Sequence, residues 1–301
     1  MRLLTRSDFD GLACAALLKE VGAIDSIKFV HPKDIQDGLI EVDENDVLAN
    51  VPYVNGCGLW FDHHTSENER LGSIKYSGLV KYIDSAAHVI YDYYTDAGFN
   101  LSKFDIMLAS VDKVDSARLS VDEISKPAGW ILLGFIMDPR TGLGRFRDFR
   151  ISNYELMEKL IDACREKDIC QILDMPDVKE RIDLYHKQNA LFTDMLKTNS
   201  VADRNVIITD LRGKHPIYTG NRFLIYNLFR QQNISVWAVD GKINETCSIA
   251  VGYSIINRTN TNDVGSILLS YGGGGHKQVG TCQVRVEDAD RVISELREKL
   301  Q

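Results

Sequence analysis

The sequence predicts an α/β protein with two sheet-containing domains joined by a helical connector. Three observations support this. Short apolar strands alternate with helical patterns in 1–150, strand patterns are almost absent in 151–200, and strands return in 201–301. Strands separated by helices are typical of a mostly parallel sheet. A chain of 301 residues is long enough for two domains of ~150 residues each.

The N-terminal region, 1–150, alternates predicted strands and helices. The strands are predicted at Arg2–Thr5, Ser26–Val30, Asp46–Ala49 and Gly58–Phe61. The helices are predicted at Leu12–Val21, Gly78–Ala97 and Lys103–Val111. In the second of these helices the apolar residues recur at helical spacing, and Gly98 follows as a C-terminal glycine. These elements predict one domain built on a parallel sheet.

The remainder of the chain divides into a helical part and a second α/β part. Helices are predicted at Val121–Met137, Asn153–Arg165, Met175–Leu184 and His186–Lys197, and 151–200 is interpreted as the connector. Strands follow at Asn205–Thr209, Ser235–Val239, Cys247–Val251 and Gly280–Val284. The last helices are predicted at Arg222–Arg230, Asp263–Ser270 and Ala289–Leu300. We therefore expect 201–301 to form a smaller α/β domain with a mixed sheet.

Composition narrows the class of partner. The formal net charge is −8, which is opposite to the balance of proteins that bind long nucleic acid on a basic face. It favours a small anionic substrate or a metal held by clustered acids, and it argues against long duplex nucleic acid. The six cysteines are scattered without a C-x-x-C pair, so we interpret them as reduced thiols.

Patterns for export or membrane insertion are absent from the sequence. Charged residues interrupt the N-terminus too early for a signal peptide. The longest apolar run, Trp130–Met137, is far shorter than the ~20 residues of a membrane span. We therefore expect a cytoplasmic protein that does not bind a membrane, and the sequence leaves open whether it forms a homo-oligomer.

Acidic and histidine residues follow two of the predicted N-terminal strands. Asp8 and Asp10 lie at the start of the first helix, where Gly11 permits a tight turn. Asp62, His63 and His64 follow a later strand. Ligands bind beyond the carboxyl ends of parallel strands, and carboxylates with imidazole suit Mn²⁺ and similar ions. The alternatives are a capping aspartate in the first motif and a surface turn in the second.

Two further motifs carry chemistry. Asp112 and Asp115 end an apolar helical run, where a carboxylate needs a metal or another partner, or caps a turn. Four consecutive glycines, Gly272–Gly275, precede His276. Such a run lets backbone N–H groups approach an anion closely, and a flexible linker is the alternative.

Together these motifs, in this order and spacing, resemble the DHH phosphoesterase family over nearly the whole chain. The resemblance is to its exopolyphosphatase-related and oligoribonuclease-like members, with a DHH-associated C-terminal domain. It implies a hydrolase with one or two Mn²⁺ or Mg²⁺ ions and an active site between the two domains. Metal-activated water would cleave a phosphodiester, phosphomonoester or phosphoanhydride bond in a small substrate. A nucleotide, a short single-stranded oligonucleotide and polyphosphate all fit.

The family also implies residue roles at matching positions. Metal binding is implied for Asp8, Asp10, Asn50, His63, Asp112 and Asp115. Catalysis is implied for Asp10, Asp62, His63 and His64. Substrate binding is implied for Arg258, Gly273, Gly274, Gly275 and His276.

The sequence departs from the family at two places. The family often has a histidine shortly before the first aspartate, where this chain has Leu4 and Arg6. It also has an aspartate before the D-H-H strand, where this chain has Asn50. A neutral amide is a poorer bridging ligand than a carboxylate, so the second ion is expected to bind more weakly.

These departures motivate a second hypothesis, in which the chain binds a nucleotide or another anion without cleaving it. A third hypothesis, a haloacid-dehalogenase-type phosphatase with Asp8 as nucleophile, leaves the D-H-H and glycine motifs unexplained. A basic stretch is interpreted as a solvated face, with steering of a polyanion as the alternative. It comprises Arg140, Arg145, Arg147 and Arg150.

Overall fold

The structure is a computed structural model that describes residues 1–64, 74–241 and 245–301. The chain separates into two compact units. The first contains 1–119 and 127–184, and the second contains 120–126 and 185–301. These limits differ from the predicted domains because 120–126 belongs to the second unit and the predicted connector is shared between the two. Helices are numbered in chain order over the described residues.

The first unit is built on a parallel sheet of five strands in the order β2-β1-β3-β4-β5. The strands are β1 (Arg2–Thr5), β2 (Ser26–Phe29), β3 (Asp46–Ala49), β4 (Leu59–Asp62) and β5 (Gly78–Val80). All four strand pairs are parallel, which confirms the predicted sheet. The carboxyl ends of β1, β3 and β4 therefore lie side by side at one edge of the sheet. Asn50 directly follows β3 at this edge, and Asp62, the first residue of the D-H-H motif, is the last residue of β4.

The helices of the first unit cover both faces of that sheet. They are α1 (Phe9–Glu20), α2 (Pro32–Gln36), α3 (Ala86–Asp96), α4 (Asp105–Asp115), α6 (Gly129–Met137), α7 (Asn153–Glu166), α8 (Ile169–Leu173) and the first part of α9 (Pro176–Asn199). The alanine- and leucine-rich α1 is buried from Phe9 to Leu18 and packs against α3, α4 and α7. On the other side, Leu4, Leu48 and Trp60 form a separate core.

The predicted helix Gly78–Ala97 is wrong in its first part. Gly78–Val80 pairs with β4 as the edge strand β5, and the helix begins only at Ala86. Gly78 has a φ of 114°, and a Cβ there would lie 2.1 Å from the carbonyl oxygen of Trp60. Only glycine permits so close an approach of two strands. Gly78, which the sequence pattern predicts to lie in a helix, therefore lies in a strand.

The second unit is built on a mixed sheet of six strands in the order β10-β11-β9-β8-β7-β6. The strands are β6 (Ser200–Asp203), β7 (Val206–Asp210), β8 (Ile234–Asp240), β9 (Thr246–Tyr253), β10 (Gly274–His276) and β11 (Val279–Arg285). Among the described strand pairs of this sheet, β7 and β8 are parallel and the other four pairs are antiparallel, so the predicted mixed sheet is confirmed. Its helices are α5 (Val121–Ser125), the end of α9, α10 (Leu224–Leu228), α11 (Val264–Leu269) and α12 (Ala289–Lys299).

Candidate metal centre and phosphate site

The structure brings three predicted site residues together in the first unit. One ligand atom from each of Asp10, His63 and Asp115 lies within 4.8 Å of the other two. His63 Nε2 is 3.3 Å from Asp115 Oδ2 and 3.9 Å from Asp10 Oδ2. Two carboxylates and an imidazole in this arrangement form a ligand set for Mn²⁺ or a similar ion.

The Asp10 carboxylate is held by the start of a helix. Its oxygens accept hydrogen bonds from the backbone N–H groups of Ala86, at 3.0 Å, and Ala87, at 2.8 Å. Ser85 caps that helix, so these amides would otherwise lack a partner. Burial, and then the charge of Asp115, raises the pKa of Asp10 to about 7. A cation nearby would favour the ionised form that metal binding needs.

The imidazole of His63 is oriented for a cation. Its Nδ1 lies 3.1 Å from the carbonyl oxygen of Ile83, so Nδ1 carries the hydrogen and Nε2 keeps a lone pair. Among the described residues, Nε2 is buried and has no hydrogen-bond partner. A buried acceptor without a partner costs stability, and a metal ion would satisfy it.

Asp62 contributes to the same edge of the sheet. Asp62 Oδ1 lies 2.8 Å from His64 Nδ1, while Asp62 Oδ2 is buried without a hydrogen-bond partner in the part of the chain that the structure describes. Burial opposes protonation of His64, but the bond to Asp62 raises its pKa overall. The side chain of His64 is 37% exposed, so it is accessible to a ligand. The free Asp62 oxygen is a further candidate ligand atom.

Asp8 is occupied by donors of the protein. Its Oδ1 accepts from the backbone N–H of Gly11 at 3.0 Å and from Asn50 Nδ2 at 3.3 Å. Its Oδ2 pairs with Arg6 Nε at 3.0 Å. Asp8 therefore caps α1, which is the alternative that the sequence analysis gave for the first motif. Asn50 donates a hydrogen bond to the same carboxylate. The amide oxygen of Asn50 is buried without a partner among the described residues.

Asp112 is not a member of the Asp10–His63–Asp115 cluster and is bonded to other side chains. Its carboxylate accepts from Ser85 Oγ at 2.6 Å and lies 2.7 Å from His88 Nδ1. The hydrogen bond to Asp112 is the main cause that raises the pKa of His88. Asp112 thereby supports the cap of α3, whose amides hold Asp10. Asp115, the second acidic residue of the motif, is the member of the cluster.

The glycine-rich motif lies in the second unit and forms a hairpin. β10 pairs with β11, and a Cβ at Gly273 would lie 2.2 Å from the carbonyl oxygen of Thr281. A Cβ at Gly274 would have no neighbour within 4 Å, and His276 is exposed. Arg258 Nε donates to the carbonyl oxygen of Ile255 at 3.0 Å. The motif is a packed strand and not a flexible linker, and its role in substrate binding stays a prediction.

Comparison with known proteins places this geometry in a family. No protein-family model matches the chain, and no curated protein matches it significantly. A solved structure of a pGpG-specific phosphodiesterase, PggH of Vibrio cholerae, is 44% identical with a TM-score of 0.87 and covers 99% of this chain and 98% of its own. The chain belongs to the DHH phosphoesterase family.

The RecJ structure of Thermus thermophilus in complex with Mn²⁺ is also similar in fold. It is 14% identical, with a TM-score of 0.54, and the match covers 99% of this chain and 51% of RecJ. As a DHH phosphoesterase the chain is a hydrolase of phosphate esters. No helix among its described residues has the length and apolar character needed to cross a membrane.

Sequence reasoning missed several residues that position the DHH motif. The amides of Ala86 and Ala87 and the carbonyl of Ile83 give no sequence signal, because main-chain groups are the same in every residue. The seryl cap at Ser85 could have been found, since serine before an alanine-rich helix is a common N-cap. Asp138 and Arg140 line a pocket that Asp10 also lines; the sequence analysis did not single out Asp138, and it named Arg140 only as part of the basic stretch.

Proposed function

We propose that this DHH phosphoesterase is a divalent-cation-dependent phosphodiesterase whose substrate is pGpG or another short 5′-phosphorylated dinucleotide. The observation that carries the proposal is the 44% identity to a pGpG-specific phosphodiesterase over almost the full length of both chains. The cluster of Asp10, His63 and Asp115 supports it, because these residues could hold a divalent ion that promotes hydrolysis of a phosphodiester. Hydrolysis of the single internal phosphodiester of pGpG gives two molecules of GMP.

Asp10, His63 and Asp115 would hold the ion, with the free oxygen of Asp62 as a further ligand. We propose that the ion is Mn²⁺. Mn²⁺ accepts an imidazole ligand among carboxylates, whereas Mg²⁺ prefers oxygen ligands alone. A divalent ion bound there supplies a Lewis acid that offsets the charge of the phosphate and promotes ionisation of water. Asp8 and Asp112 are not assigned to the ion, because protein donors already satisfy their carboxylates.

His64 is proposed to contact the substrate phosphate or the leaving oxygen. Its ring is partly exposed and is held by Asp62, and the raised pKa favours the protonated form. A protonated imidazole can donate a hydrogen bond to a phosphate oxygen. From the second unit, Arg258, Gly273, Gly274, Gly275 and His276 are proposed to bind a phosphate of the substrate.

A substrate panel tests the function. The purified chain is incubated with pGpG, pApA, a seven-nucleotide RNA, cyclic di-GMP and polyphosphate, each with Mn²⁺, with Mg²⁺ or with EDTA. We expect GMP from pGpG with Mn²⁺, slower cleavage of the longer RNA and no reaction in EDTA. Asp115→Asn, which keeps shape and removes a ligand charge, should lose the activity and stay folded by circular dichroism. A folded, Mn²⁺-loaded wild-type chain that cleaves none of the diesters would overturn the proposal.

A further inference from the structure

A short rigid turn follows α6 at the edge of the candidate metal centre. Asp138 caps a 3-10 helix, Pro139–Thr141, by accepting the backbone N–H of Arg140 at 2.8 Å. Thr141 Oγ1 donates to the carbonyl oxygen of Phe135, and Gly142 ends the turn with a φ of 91°. This left-handed conformation favours glycine. The turn thus sets where the Arg140 side chain begins.

The guanidinium group of Arg140 is held by the protein through Nε. Its Nε donates to both oxygens of Asp138, at 2.8 and 3.1 Å. Its terminal nitrogens, Nη1 and Nη2, make no hydrogen bond to residues of 1–64, 74–241 or 245–301. The side chain is 49% exposed. An arginine held through Nε in this way presents two parallel donors in a fixed plane.

Arg140 is one of the residues that line a pocket together with candidate metal ligands. The pocket is lined by Asp8, Phe9, Asp10, Val111, Val114, Asp115, Gly134, Asp138 and Arg140. Arg140 is the one cationic side chain among these lining residues. Burial opposes a charged Arg140, but Asp138, and then Asp8 and Asp115 to a smaller extent, raise its pKa overall, so the guanidinium stays charged beside these carboxylates.

The other arginines of the basic stretch differ from Arg140. Arg150 Nε pairs with Asp177 at 3.3 Å, and Arg145 Nε donates to the carbonyl oxygen of Gly142 at 3.2 Å. Arg147 is exposed and does not line the pocket. The solvated-face interpretation therefore suits Arg147 but not Arg140.

We propose that Arg140 binds the scissile phosphate through Nη1 and Nη2, and that Asp138 is its positioning residue. The proposal rests on the proposed phosphodiesterase function and names a substrate contact within it. A guanidinium matches two phosphate oxygens with two parallel hydrogen bonds, which a point charge such as an ammonium does not. Asp138 uses the Nε donor and so directs the remaining fork into the pocket. Arg140 then offsets phosphate charge beside Asp10, where carboxylates would otherwise repel the substrate.

The test compares Arg140→Ala, Arg140→Lys and the matched control Arg147→Ala, with Mn²⁺ and pGpG. We expect Arg140→Ala to lower kcat/KM by about 100-fold, as loss of one charge-stabilising donor does in other sites. Arg140→Lys should fall between Arg140→Ala and the wild type, because it keeps the charge but loses the fork. Arg147→Ala should match the wild type. Added guanidinium ion should restore part of the activity to Arg140→Ala only.

Two controls separate substrate binding from folding and from the proposed function. Mn²⁺ affinity by calorimetry should be the same in all four proteins; equal kcat/KM for Arg140→Ala and Arg147→Ala would overturn the proposal. If Arg140→Ala does not fold, Arg140→Lys carries the comparison. If the wild type does not cleave pGpG, the proposed function fails, and binding of inorganic phosphate to Mn²⁺-loaded protein decides for Arg140. Equal phosphate affinity in wild type and Arg140→Ala would then refute its role.

Discussion

Nε of Arg6 lies 3.0 Å from Oδ2 of Asp8, so a guanidinium neutralises the first carboxylate of the D-x-D motif. Asn50 donates to the other oxygen of the same carboxylate. Arg6, with Leu4, belongs to the first departure that the sequence shows from the family pattern, and Asn50 is the second. In the structure Arg6 and Asn50 both donate to the Asp8 carboxylate, which leaves its oxygens less available to a cation.

Replacing Asn50 by Asp should change the metal dependence. The substitution removes the donor to Asp8 and places a second carboxylate beside it, so without metal we expect a loss of ~1–3 kcal/mol in unfolding free energy. The left-handed φ of 56° at position 50 is tolerated by Asp as well as by Asn. Mn²⁺ should then raise the unfolding temperature more than in the wild type.

Calorimetric titration of Mn²⁺ into both proteins, with and without a phosphate analogue, checks this. We expect a second, weaker ion in the wild type, or one that binds only with phosphate, and tighter second binding in Asn50→Asp. Two tight, equivalent ions in the wild type without phosphate would contradict the expectation. An Asn50→Asp protein with unchanged Mn²⁺ binding would do so as well.

Asp115 and Asp112 should respond differently to the same substitution. Asp115→Asn removes a charge 3.3 Å from His63 Nε2, and we expect Mn²⁺ affinity to fall by at least about 10-fold. Asp112→Asn should leave Mn²⁺ affinity near that of the wild type but lower stability, because its partners are Ser85 and His88. Calorimetry and urea unfolding in EDTA measure the two effects. The reverse result would assign the ligand to Asp112.

The pair of His88 and Asp112 should make stability depend on pH. The hydrogen bond to Asp112 raises the pKa of His88 in the folded state, Asp92 raises it further, and burial and Lys81 oppose this. Because the folded pKa is above the unfolded value of ~6.5, the stabilisation is fully present below that value and is lost as pH rises through the folded pKa. His88→Asn should therefore destabilise the protein more at pH 5.5 than at pH 9.

Urea unfolding of wild type and His88→Asn in EDTA at both pH values measures this difference. Asp112→Asn is the matched control, since it removes the partner and should weaken the same pH dependence. A difference between wild type and His88→Asn that is equal at both pH values would show that the pair contributes no charge interaction.

Alanine substitutions at Gly273 and Gly274 of the hairpin should have different effects, the first on stability and the second on substrate binding. Gly273→Ala places a Cβ 2.2 Å from the backbone of Thr281, which cannot move cheaply, so we expect a loss of ~1–3 kcal/mol. Gly274→Ala meets no atom within 4 Å, and its stability should be unchanged or slightly higher. Thermal unfolding measures both. If Gly274 approaches the substrate as proposed, Gly274→Ala should raise KM for pGpG and leave Mn²⁺ affinity unchanged.

Local pattern was sufficient for much of the fold. The strands predicted at Arg2–Thr5 and Asp46–Ala49 have these bounds in the structure. Both segments are almost entirely buried, so their apolar pattern was clear in the sequence. The parallel arrangement follows from the intervening helices. The strand Gly78–Val80 was missed because it has three residues and its apolar spacing also fits the helix that follows. The antiparallel edge strand Ser200–Asp203 contains one large apolar residue, Val201, and that residue is exposed, so the segment had no strand pattern in the sequence.

The candidate site was predictable to the level of motifs but not of atoms. The D-x-D and D-H-H motifs indicated Asp10 and His63 because both follow strands whose ends must meet. The choice between Asp112 and Asp115 was not predictable, since residues three apart lie on nearly the same helix face and small rotations decide which one reaches His63. That rotation depends on the packing of Val111 and Val114, which are buried. Sequence alone also could not show that Arg6 pairs with Asp8.

Because Ala86 and Ala87 donate hydrogen bonds to Asp10, the geometry of the candidate metal centre depends on the residue at which α3 begins. Side-chain changes on α3 leave these amides in place, so the ligand tolerates variation in composition as long as the helix starts at the same residue. A proline at position 86 would be the exception, because the first helical position accepts proline without breaking the helix. It would remove one donor to Asp10 while the fold stays intact. The vulnerability of this centre thus lies in where a helix begins, and a substitution that is conservative for the fold can be severe for the enzyme.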